Sequence, residues 1–455
     1  MRRPHVGLLW LLLASVPVQA EDVLDRLDST LSLHLASSEA PPAAAVAPVA
    51  PVAPAPMPMQ AEDIWARLDT TLSLRADAWS GSRQLDDTGS VLQSALWARA
   101  KLDLDAAGTV IGSGWLREQS ETDPDTPRTR VRELYWRYQQ GAADLKLGRQ
   151  MVVWGRADGI NPTDNLSPRD FTLLTPEDGD QRYGNEAAQL SLSTGIGTLS
   201  GVWFPRAASH TLPLLPLPNV SYTVEAPPHA SQWALKWEGS GNGIDGSISY
   251  FHGIDPMPDL VFNGIGAAGV DIAVRNHPAR SIGADLSLTQ GAFVWRAEAA
   301  VTQTDSSGAD DFTHKKPQLW LVAGGEYGFD NGATLGIQAV VQRVKDFRHP
   351  DSIADPIAQA LAWRQAATSN QTSASQYGLT WRLAKRWWND TLLAETSGMA
   401  IWPSHSGVWR TNLDYAIDDR WHVQTGTVHY FGPERSFFGQ LRQNRLLYVQ
   451  LRYSW

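Results

Sequence analysis

The chain has 455 residues, a formal net charge of -10 and no cysteine, which excludes a disulfide framework and thiolate chemistry and argues against nucleic-acid binding. Its 20 tryptophans against 6 methionines are informative, because tryptophan favours the boundary between lipid and water. Composition alone is compatible with a secreted soluble protein and with a β-rich membrane protein. Only the pattern of apolar and polar residues along the chain distinguishes these two classes.

The N-terminus has the features of a secretory signal peptide. Two basic residues, Arg2 and Arg3, precede a short apolar run, and small residues end at Ala20. The apolar run is shorter than the roughly 20 residues that a membrane-spanning helix needs. We therefore expect residues 1–20 to direct export and to be cleaved near Ala20, with a retained membrane anchor as the alternative.

The first copy of a repeated sequence, and a linker rich in proline and alanine, occupy residues 21–61. The sequence of residues 19–33 recurs with few changes at residues 60–74, and the Pro/Ala tract lies between the two copies. Such a tract is expected to be extended and disordered. We interpret the first copy as a tail, for which binding of a periplasmic or inner-membrane transport partner stays open.

From residue 62 to residue 455 the pattern predicts one β-barrel. In residues 96–105 the even positions are apolar, whereas the odd positions include Arg99 and Lys101. Short turns rich in Gly, Asn and Asp alternate with longer connections, as in outer-membrane barrels of Gram-negative bacteria. We predict an all-β, transmembrane antiparallel β-barrel of about 18 strands, or about 16 if residues 255–280 contribute fewer, with both termini periplasmic. A soluble β-sandwich is the alternative.

The last strand carries the sharpest single pattern. Every second residue from Leu447 to Trp455 is apolar, and the chain ends in an aromatic residue. This pattern is typical of the C-terminal signal that barrels present to the barrel assembly machinery. We therefore expect that machinery as a partner, outer-membrane lipid around the barrel, and the cell outer membrane as the location.

The longest interruption of the strand pattern, at about residues 154–184, is predicted to fold into the barrel. It contains Pro162 and Pro168, and arginines are interleaved with aspartates along it. The surrounding sequence resembles the alginate-export-like outer-membrane porins and their uncharacterised relatives, in the motifs at residues 130–136, 147–150, 154–155 and 161–164. The resemblance implies an inward loop that constricts the pore, and we assign this role to Arg156, Asp158, Asp164 and Arg169. The alternative is a loop whose charges only hold it folded.

The predicted lumen carries charges of both signs. The inward positions read from the alternation include Arg99, Lys101, Arg137, Lys236, Glu238, Arg296, Glu298 and Arg382. The resemblance alone would imply a strongly basic conduit for a polyanion, and these nearly balanced charges depart from it. We therefore expect a channel that passes or exports a weakly charged or amphiphilic solute, with a saccharide as one candidate.

Motifs of enzymes are missing from the sequence, which has no His-Glu-x-x-His, no Gly-x-Ser-x-Gly and no phosphate-binding glycine loop. We expect no catalytic residues, no metal site and no cofactor. Two alternatives to a channel stay open. One is the outer-membrane component of an inner-membrane export or efflux complex, and the other is an outer-membrane lipid hydrolase that uses His252, His422 or His429.

Overall fold

The computed structural model describes residues 61–82, 89–120, 128–214, 217–267 and 269–455. The predicted signal peptide, the first copy of the repeated sequence and the linker, all within residues 1–60, lie outside the described residues. Before the first strand, the described residues contain one short helix, α1 (Ala61–Ala66), which the strand pattern did not predict.

Most of the remaining described chain consists of strands. In chain order they are β1 (Leu68–Ser82), β2 (Ser90–Asp103), β3 (Thr109–Gln119), β4 (Thr129–Gln140), β5 (Ala143–Gln150), β6 (Asn185–Thr194), β7 (Gly197–Phe204), β8 (Val220–Val224), β9 (Gln232–Gly241), β10 (Ile244–Ile254), β11 (Asp259–Gly266), β12 (Gly269–Arg275), β13 (Pro278–Gln290), β14 (Phe293–Thr304), β15 (Gln318–Gly328), β16 (Ala333–Val344), β17 (Ser375–Trp387), β18 (Leu392–Trp402), β19 (Ser406–Ala416), β20 (Trp421–Phe431) and β21 (Arg445–Ser454).

All of these strands except β8, β11 and β12 form one closed sheet of 18 strands. Each strand is antiparallel to its neighbours, and β1 pairs with β21, so that Ser73 lies opposite Ser454. Pairing of the first strand with the last leaves no free sheet edge. The predicted antiparallel barrel of about 18 strands is therefore confirmed.

Side chains alternate between the two faces of the barrel wall. In β2, Gln93 and Ala95 are buried on the inner face, whereas Leu92 and Leu96 are 62% and 37% exposed on the outer face. In β13, Ile282 is exposed in the same way. A continuous apolar outer face is unfavourable in water and favourable in lipid, and closure pairs the backbone groups that lipid cannot hydrate.

One end of the barrel carries only short turns, eight of them, each of two to five residues. In the turn between β9 and β10, Asn242 and Gly243 have φ angles of 53° and 76°, a region that Asn and Gly adopt more readily than other residues. The even number of strands brings the start of β1 and the end of β21 to this same end. We call it the short-turn end and the opposite one the long-loop end.

The long-loop end carries further secondary structure. The region 255–280, whose strands the sequence could not assign, contains β11 and β12, which leave the wall and form a three-stranded sheet with β8. The connection between β16 and β17 contains α2 (Pro356–Thr368), and Asp355 caps it by accepting a hydrogen bond from the Ala358 N–H at 2.7 Å. Among the described residues, no helix is long and apolar enough to cross a bilayer.

Part of the barrel interior is a packed apolar core. Inward side chains of the wall, including Trp79 and Val340, belong to one buried cluster together with side chains from the long connections. The connection between β5 and β6 contributes Ala157, Ile160, Phe171 and Leu174, and the one between β20 and β21 contributes Phe437, Phe438 and Leu441. These side chains exclude water from that part of the lumen.

Candidate functional site

The connection between β5 and β6, residues 151–184, folds into the barrel, and we call it the inward loop. Pro162 and Pro168 lack the N–H that a sheet ladder would need, so this segment does not continue as strand. The segment that the sequence analysis interpreted as an inward loop, at about residues 154–184, lies within this connection.

Asp164 and Arg169 brace the inward loop from within. The Asp164 carboxylate accepts hydrogen bonds from Arg169 at 3.2 Å and from Arg182 at 2.6 Å. Burial alone would raise the pKa of Asp164, but the two guanidinium groups outweigh it and hold that pKa below its usual range. The Arg169 N–H donates to His210 Nδ1 at 2.9 Å, and burial lowers the pKa of His210 to about 3, so the ring is a neutral acceptor.

Arg156 reaches carboxylates on two other strands of the barrel wall. Its Nε lies 2.5 Å from Asp285 Oδ1 on β13, and its Nη2 pairs with Glu238 on β9. Charge-assisted hydrogen bonds of this kind are stronger than those between neutral groups. The first half of the inward loop is therefore held by acidic side chains of β9 and β13.

Glu298 on β14 is the second anchor of the same half. Its buried carboxylate accepts hydrogen bonds from the N–H groups of Arg156 at 2.9 Å, Ala157 at 3.1 Å and Thr163 at 2.8 Å. The Thr163 hydroxyl adds a fourth bond at 2.8 Å. A buried carboxylate needs such donors in place of water, and here they all come from the inward loop.

The tip of the inward loop touches the wall farther around the barrel. Asp158 Oδ2 lies 2.8 Å from Arg296 Nη1 on β14, and Gln338 on β16 accepts the N–H of Asp158 at 3.1 Å. At Gly159 the approach is closer still, since a Cβ there would lie 2.6 Å from Thr380 Cγ2 on β17. Only a glycine fits between the tip and this strand.

The second half of the inward loop is held by arginines of other strands. Asp180 Oδ2 lies 2.6 Å from Arg75 Nη1 on β1, and Asp178 pairs with Arg410 on β19. Arg132 on β4 donates to the Gly179 carbonyl at 2.7 Å. The loop therefore presents carboxylates to a basic part of the wall, and Arg156 to an acidic part.

Two neighbouring carboxyl groups of this half differ in their pKa. Burial would raise the pKa of Asp180, but Arg75 and then Arg132 lower it below its usual range. Burial, and after it the charge of Asp180, raises the pKa of Glu177, whose carboxylate is 3.5 Å from Arg452 Nη1. Asp180 is thus the firmly ionised partner of the basic wall.

Several of the predicted lumen charges form ion pairs with carboxylates of the wall. Arg137 pairs with Asp144 at 2.8 Å, Lys236 with Glu238 at 3.0 Å, and Arg382 with Glu395 at 2.8 Å. Arg296 and Glu298 contact the inward loop as described above. Arg99 and Lys101 lie near the short-turn end of β2, opposite Ser113 and Ile111 of β3.

Of the four predicted loop residues, the structure places Arg156 and Asp158 against the wall and Asp164 and Arg169 inside the loop. It does not test their part in transport, which stays a prediction. The anchors Arg75, Asp178, Asp180 and Arg410 were not among the predicted site residues. The alternation of side chains in β1 indicates that Arg75 faces inward, but no local pattern indicates that its partner is Asp180.

In the part of the chain that the structure describes, no group of three or more His, Asp or Glu side chains is arranged to hold a metal ion. The polar contacts of the inward loop instead link opposite parts of a barrel wall. Such an arrangement places the loop across the interior of the barrel, with Asp285 of β13 on one side and Arg75 of β1 on the other.

Comparisons with known proteins give the fold. No protein-family model and no curated protein matches the chain, so the resemblance to alginate-export-like porins stays a prediction. The outer-membrane protein OpdK of Pseudomonas aeruginosa is similar in structure, with 11% identity over 85% of this chain and 99% of that one and a TM-score of 0.54. An OpdK structure with vanillate has 12% identity over 86% and 99%, with a TM-score of 0.53. The chain thus shares the barrel fold of these outer-membrane proteins.

Proposed function

We propose that the chain is a channel of the Gram-negative outer membrane, passing a small solute through a lumen that the inward loop constricts. The observation that carries the proposal is the bridging of the barrel by this loop, with Arg156 on Asp285 at one side and Asp180 on Arg75 at the other. The apolar outer face and the fold shared with OpdK support a membrane location.

The proposed orientation places the short-turn end, with both ends of the chain, in the periplasm. Bacterial outer-membrane barrels have short periplasmic turns and longer outer loops, and the predicted signal peptide would bring the chain to that compartment. The sheet of β8, β11 and β12 and the helix α2 then lie on the cell surface.

The proposed solute carries little net charge. Lumen charges such as Lys236 and Arg382 are paired with carboxylates of the wall, so a solute that passes them meets little uncompensated charge. A saccharide and a small amphiphilic carboxylate both fit this description. Vanillate, which is present in one OpdK structure, is a suitable test compound of the second kind, and passage is proposed to be passive, in uptake or export.

The inward loop is proposed to act as the gate of this channel. Its apolar side chains and its ion pairs fill part of the lumen, so the described state is a restricted one. Opening requires that contacts between loop and wall break while the barrel stays intact. Arg156 is the contact to remove first, because its two carboxylate partners belong to the wall.

The experiment is single-channel conductance of the refolded full chain in a planar bilayer. Arg156→Gln and a variant lacking residues 155–181 are compared with the original chain. The control is Arg275→Gln, which removes an ion pair with Glu225 in the small sheet outside the barrel wall. Reduced gel mobility after heating verifies that each variant has formed a barrel.

We expect small or rare openings for the original chain and for Arg275→Gln, larger or more frequent ones for Arg156→Gln, and steady conductance for the deletion. If no variant conducts although the barrels are folded, the channel proposal is wrong. If the original chain conducts and Arg156→Gln does not differ from it, the channel stands and the gating role of the loop is wrong.

A further inference from the structure

The outer face of the barrel carries the same row of three side chains twice. In each row a tryptophan, a histidine and an arginine lie side by side on three consecutive strands of the wall. The first row is Trp233, His252 and Arg280, and the second is Trp409, His429 and Arg445. Neither the channel nor the inward loop uses these outward-facing residues.

The strand register defines the first row. His252 of β10 lies opposite Trp233 of β9 on one side and opposite Arg280 of β13 on the other. The rings of Trp233 and His252 are 5.8 Å apart between centroids. All three side chains therefore form one short line across the outer face.

The second row has the same order. His429 of β20 lies opposite Trp409 of β19, and Arg445 of β21 stands one position beyond the pair Val428–Leu446. Its three members border a groove of about 550 Å³ on the outer face, together with the apolar side chain of Leu447. The groove thus combines an apolar surface with the positive charge of Arg445 and the imidazole of His429, which is a hydrogen-bond donor.

Both rows lie at the same level of the wall. His252, Arg280, His429 and Arg445 are all within two residues of a strand end at the long-loop end. The rows are eight strands apart in a barrel of 18, which places them on nearly opposite sides. Trp233 and Trp409 are 41% and 50% exposed, as expected for rings at a lipid–water boundary.

The arginines of the two rows are available to a ligand. Arg280 and Arg445 are exposed, and among the described residues neither forms an ion pair. A guanidinium group binds phosphate oxygens through two parallel hydrogen bonds. An outward arginine near the membrane boundary, with histidine beside it and an apolar surface below, complements a phosphate that is attached to acyl chains.

We propose that each row binds the phosphate headgroup of a lipid in the leaflet at the long-loop end, so that the barrel holds two such lipids. The proposal rests on the membrane location in the proposed function, but it does not require that the barrel conducts. The arginine binds the phosphate, the histidine adds a second donor, and the tryptophan and neighbouring apolar side chains contact the chains of the lipid.

Native mass spectrometry of the detergent-solubilised full chain tests this proposal. The probe is phosphatidic acid, whose headgroup is a phosphate monoester, and phosphatidylcholine serves as the zwitterionic comparison. Arg280→Gln, Arg445→Gln and the double variant are measured beside the original chain. Arg343→Gln is the matched control, since Arg343 also faces outward at the long-loop end but lies between Leu319 and Ser375, without tryptophan or histidine.

We expect the original chain and Arg343→Gln to retain two molecules of phosphatidic acid, each single variant one, and the double variant none. Each lost site corresponds to about tenfold weaker retention, about 1.4 kcal/mol. Arg280→Lys in the Arg445→Gln background should recover part of the retention, because lysine keeps the charge and loses the bidentate geometry.

Equal retention by the double variant and the original chain would overturn the proposal, as would equal retention of phosphatidylcholine. If excess inorganic phosphate displaces the lipid completely, the sites recognise free phosphate and the lipid assignment is wrong. Conductance is recorded on the same preparations, so a barrel that binds lipid without conducting separates a failure of the proposed function from a failure of this inference.

Discussion

Arg75 on the first strand and Asp180 near the end of the inward loop form an ion pair, with Nη1 2.6 Å from Oδ2. The two residues are 105 positions apart in the chain. Arg132 Nη1 of β4 lies 3.9 Å from the same carboxylate group, so two cations of the wall face one anion of the loop. The pair fixes the second half of the loop, as Arg156 fixes the first with the charges reversed.

Removal of the Asp180 charge should destabilise the protein. Asp180→Asn leaves the buried Arg75 without its partner, and breaking a buried pair in this way lowers the free energy of unfolding by about 3–5 kcal/mol. Urea denaturation in detergent micelles measures the change. Asp310→Asn, which breaks an exposed pair with Arg348, should change it by only about 0–1 kcal/mol. Similar losses in both variants would contradict this prediction.

A side chain at position 159 should push the tip of the inward loop off the wall. In Gly159→Leu the new Cβ would lie 2.6 Å from Thr380 Cγ2, so one of the two elements must move. We expect a larger single-channel conductance than in the original chain. Gly179→Leu is the control in the same loop, because a Cβ there meets no atom within 4 Å. An increase in both variants, or in neither, would show that this contact does not restrict the pore.

The Glu298 carboxylate should control the release of the loop. Glu298→Ala deprives the N–H groups of Arg156, Ala157 and Thr163 of their acceptor, and a buried donor left without a partner costs about 1–3 kcal/mol. We expect higher conductance and faster proteolysis within residues 151–184. Glu298→Gln keeps one acceptor oxygen and should restore part of the original behaviour. Identical results for the two variants would argue against a hydrogen-bonding role.

The region around the buried His277, between β12 and β13, should lose stability as the pH rises. His277 Nδ1 lies 2.7 Å from Asp259 Oδ2, and Lys315 Nζ lies 2.6 Å from the nearby Asp255 carboxylate. Burial opposes the charge on His277, but Asp259 and then Asp255 raise its pKa. Because the folded pKa is raised, the stabilisation is complete below the ordinary value of about 6.5 and is lost as the pH rises through the folded value.

Hydrogen exchange of residues 255–277 at increasing pH, corrected for the intrinsic exchange rate, measures this effect. We expect protection to fall above a pH of about 6.5 in the original chain. His277→Gln should show weaker protection with no step in that range, while substitution of the exposed His229 by glutamine should leave the step unchanged. A step that persists in His277→Gln would assign the titration to another group.

The aromatic end of the chain should matter for assembly. The N–H and carbonyl of Trp455 each form a backbone hydrogen bond of 3.0 Å with Leu72, so the last residue closes the barrel onto β1. Its ring is 51% exposed on the outside. We expect Trp455→Ala to reduce the amount of heat-modifiable barrel in the outer membrane, and Trp455→Phe to restore it. Equal amounts in all three chains would contradict a role of this residue in assembly.

Local pattern was sufficient for the barrel itself. Leu92 and Leu96 are exposed whereas Gln93 and Ala95 are buried, because successive residues of a wall strand face the outside and the interior in turn. The apolar outer residues therefore recur at every second position of each strand. Turn residues such as Asn242 and Gly243 are equally local signals. The proline and aspartate content of the segment near residues 154–184 is also a local signal, and it indicates a long irregular connection.

The pairing of the charged residues could not be predicted from local sequence. Arg156 meets Asp285 at a separation of 129 positions, and Arg75 meets Asp180 at 105. The resemblance assigned Arg156 and Asp158 to the loop and alternation assigned Arg296 and Glu298 to the lumen, but neither could say which of these residues are in contact. The same holds for the sheet of β8, β11 and β12, in which β8 and β12 alternate in sequence like wall strands and yet do not belong to the wall.

The sequence by itself determined the strand pattern, the turns and the position of the long irregular segment near residues 154–184, because each depends on residues that are neighbours in the chain. Closure of the barrel decided the rest. It set the register that aligns Trp233, His252 and Arg280 on the outside, and it brought the two walls to the distance at which one loop reaches both. Those contacts depend on the geometry of all 18 strands together, and no short segment carries that information.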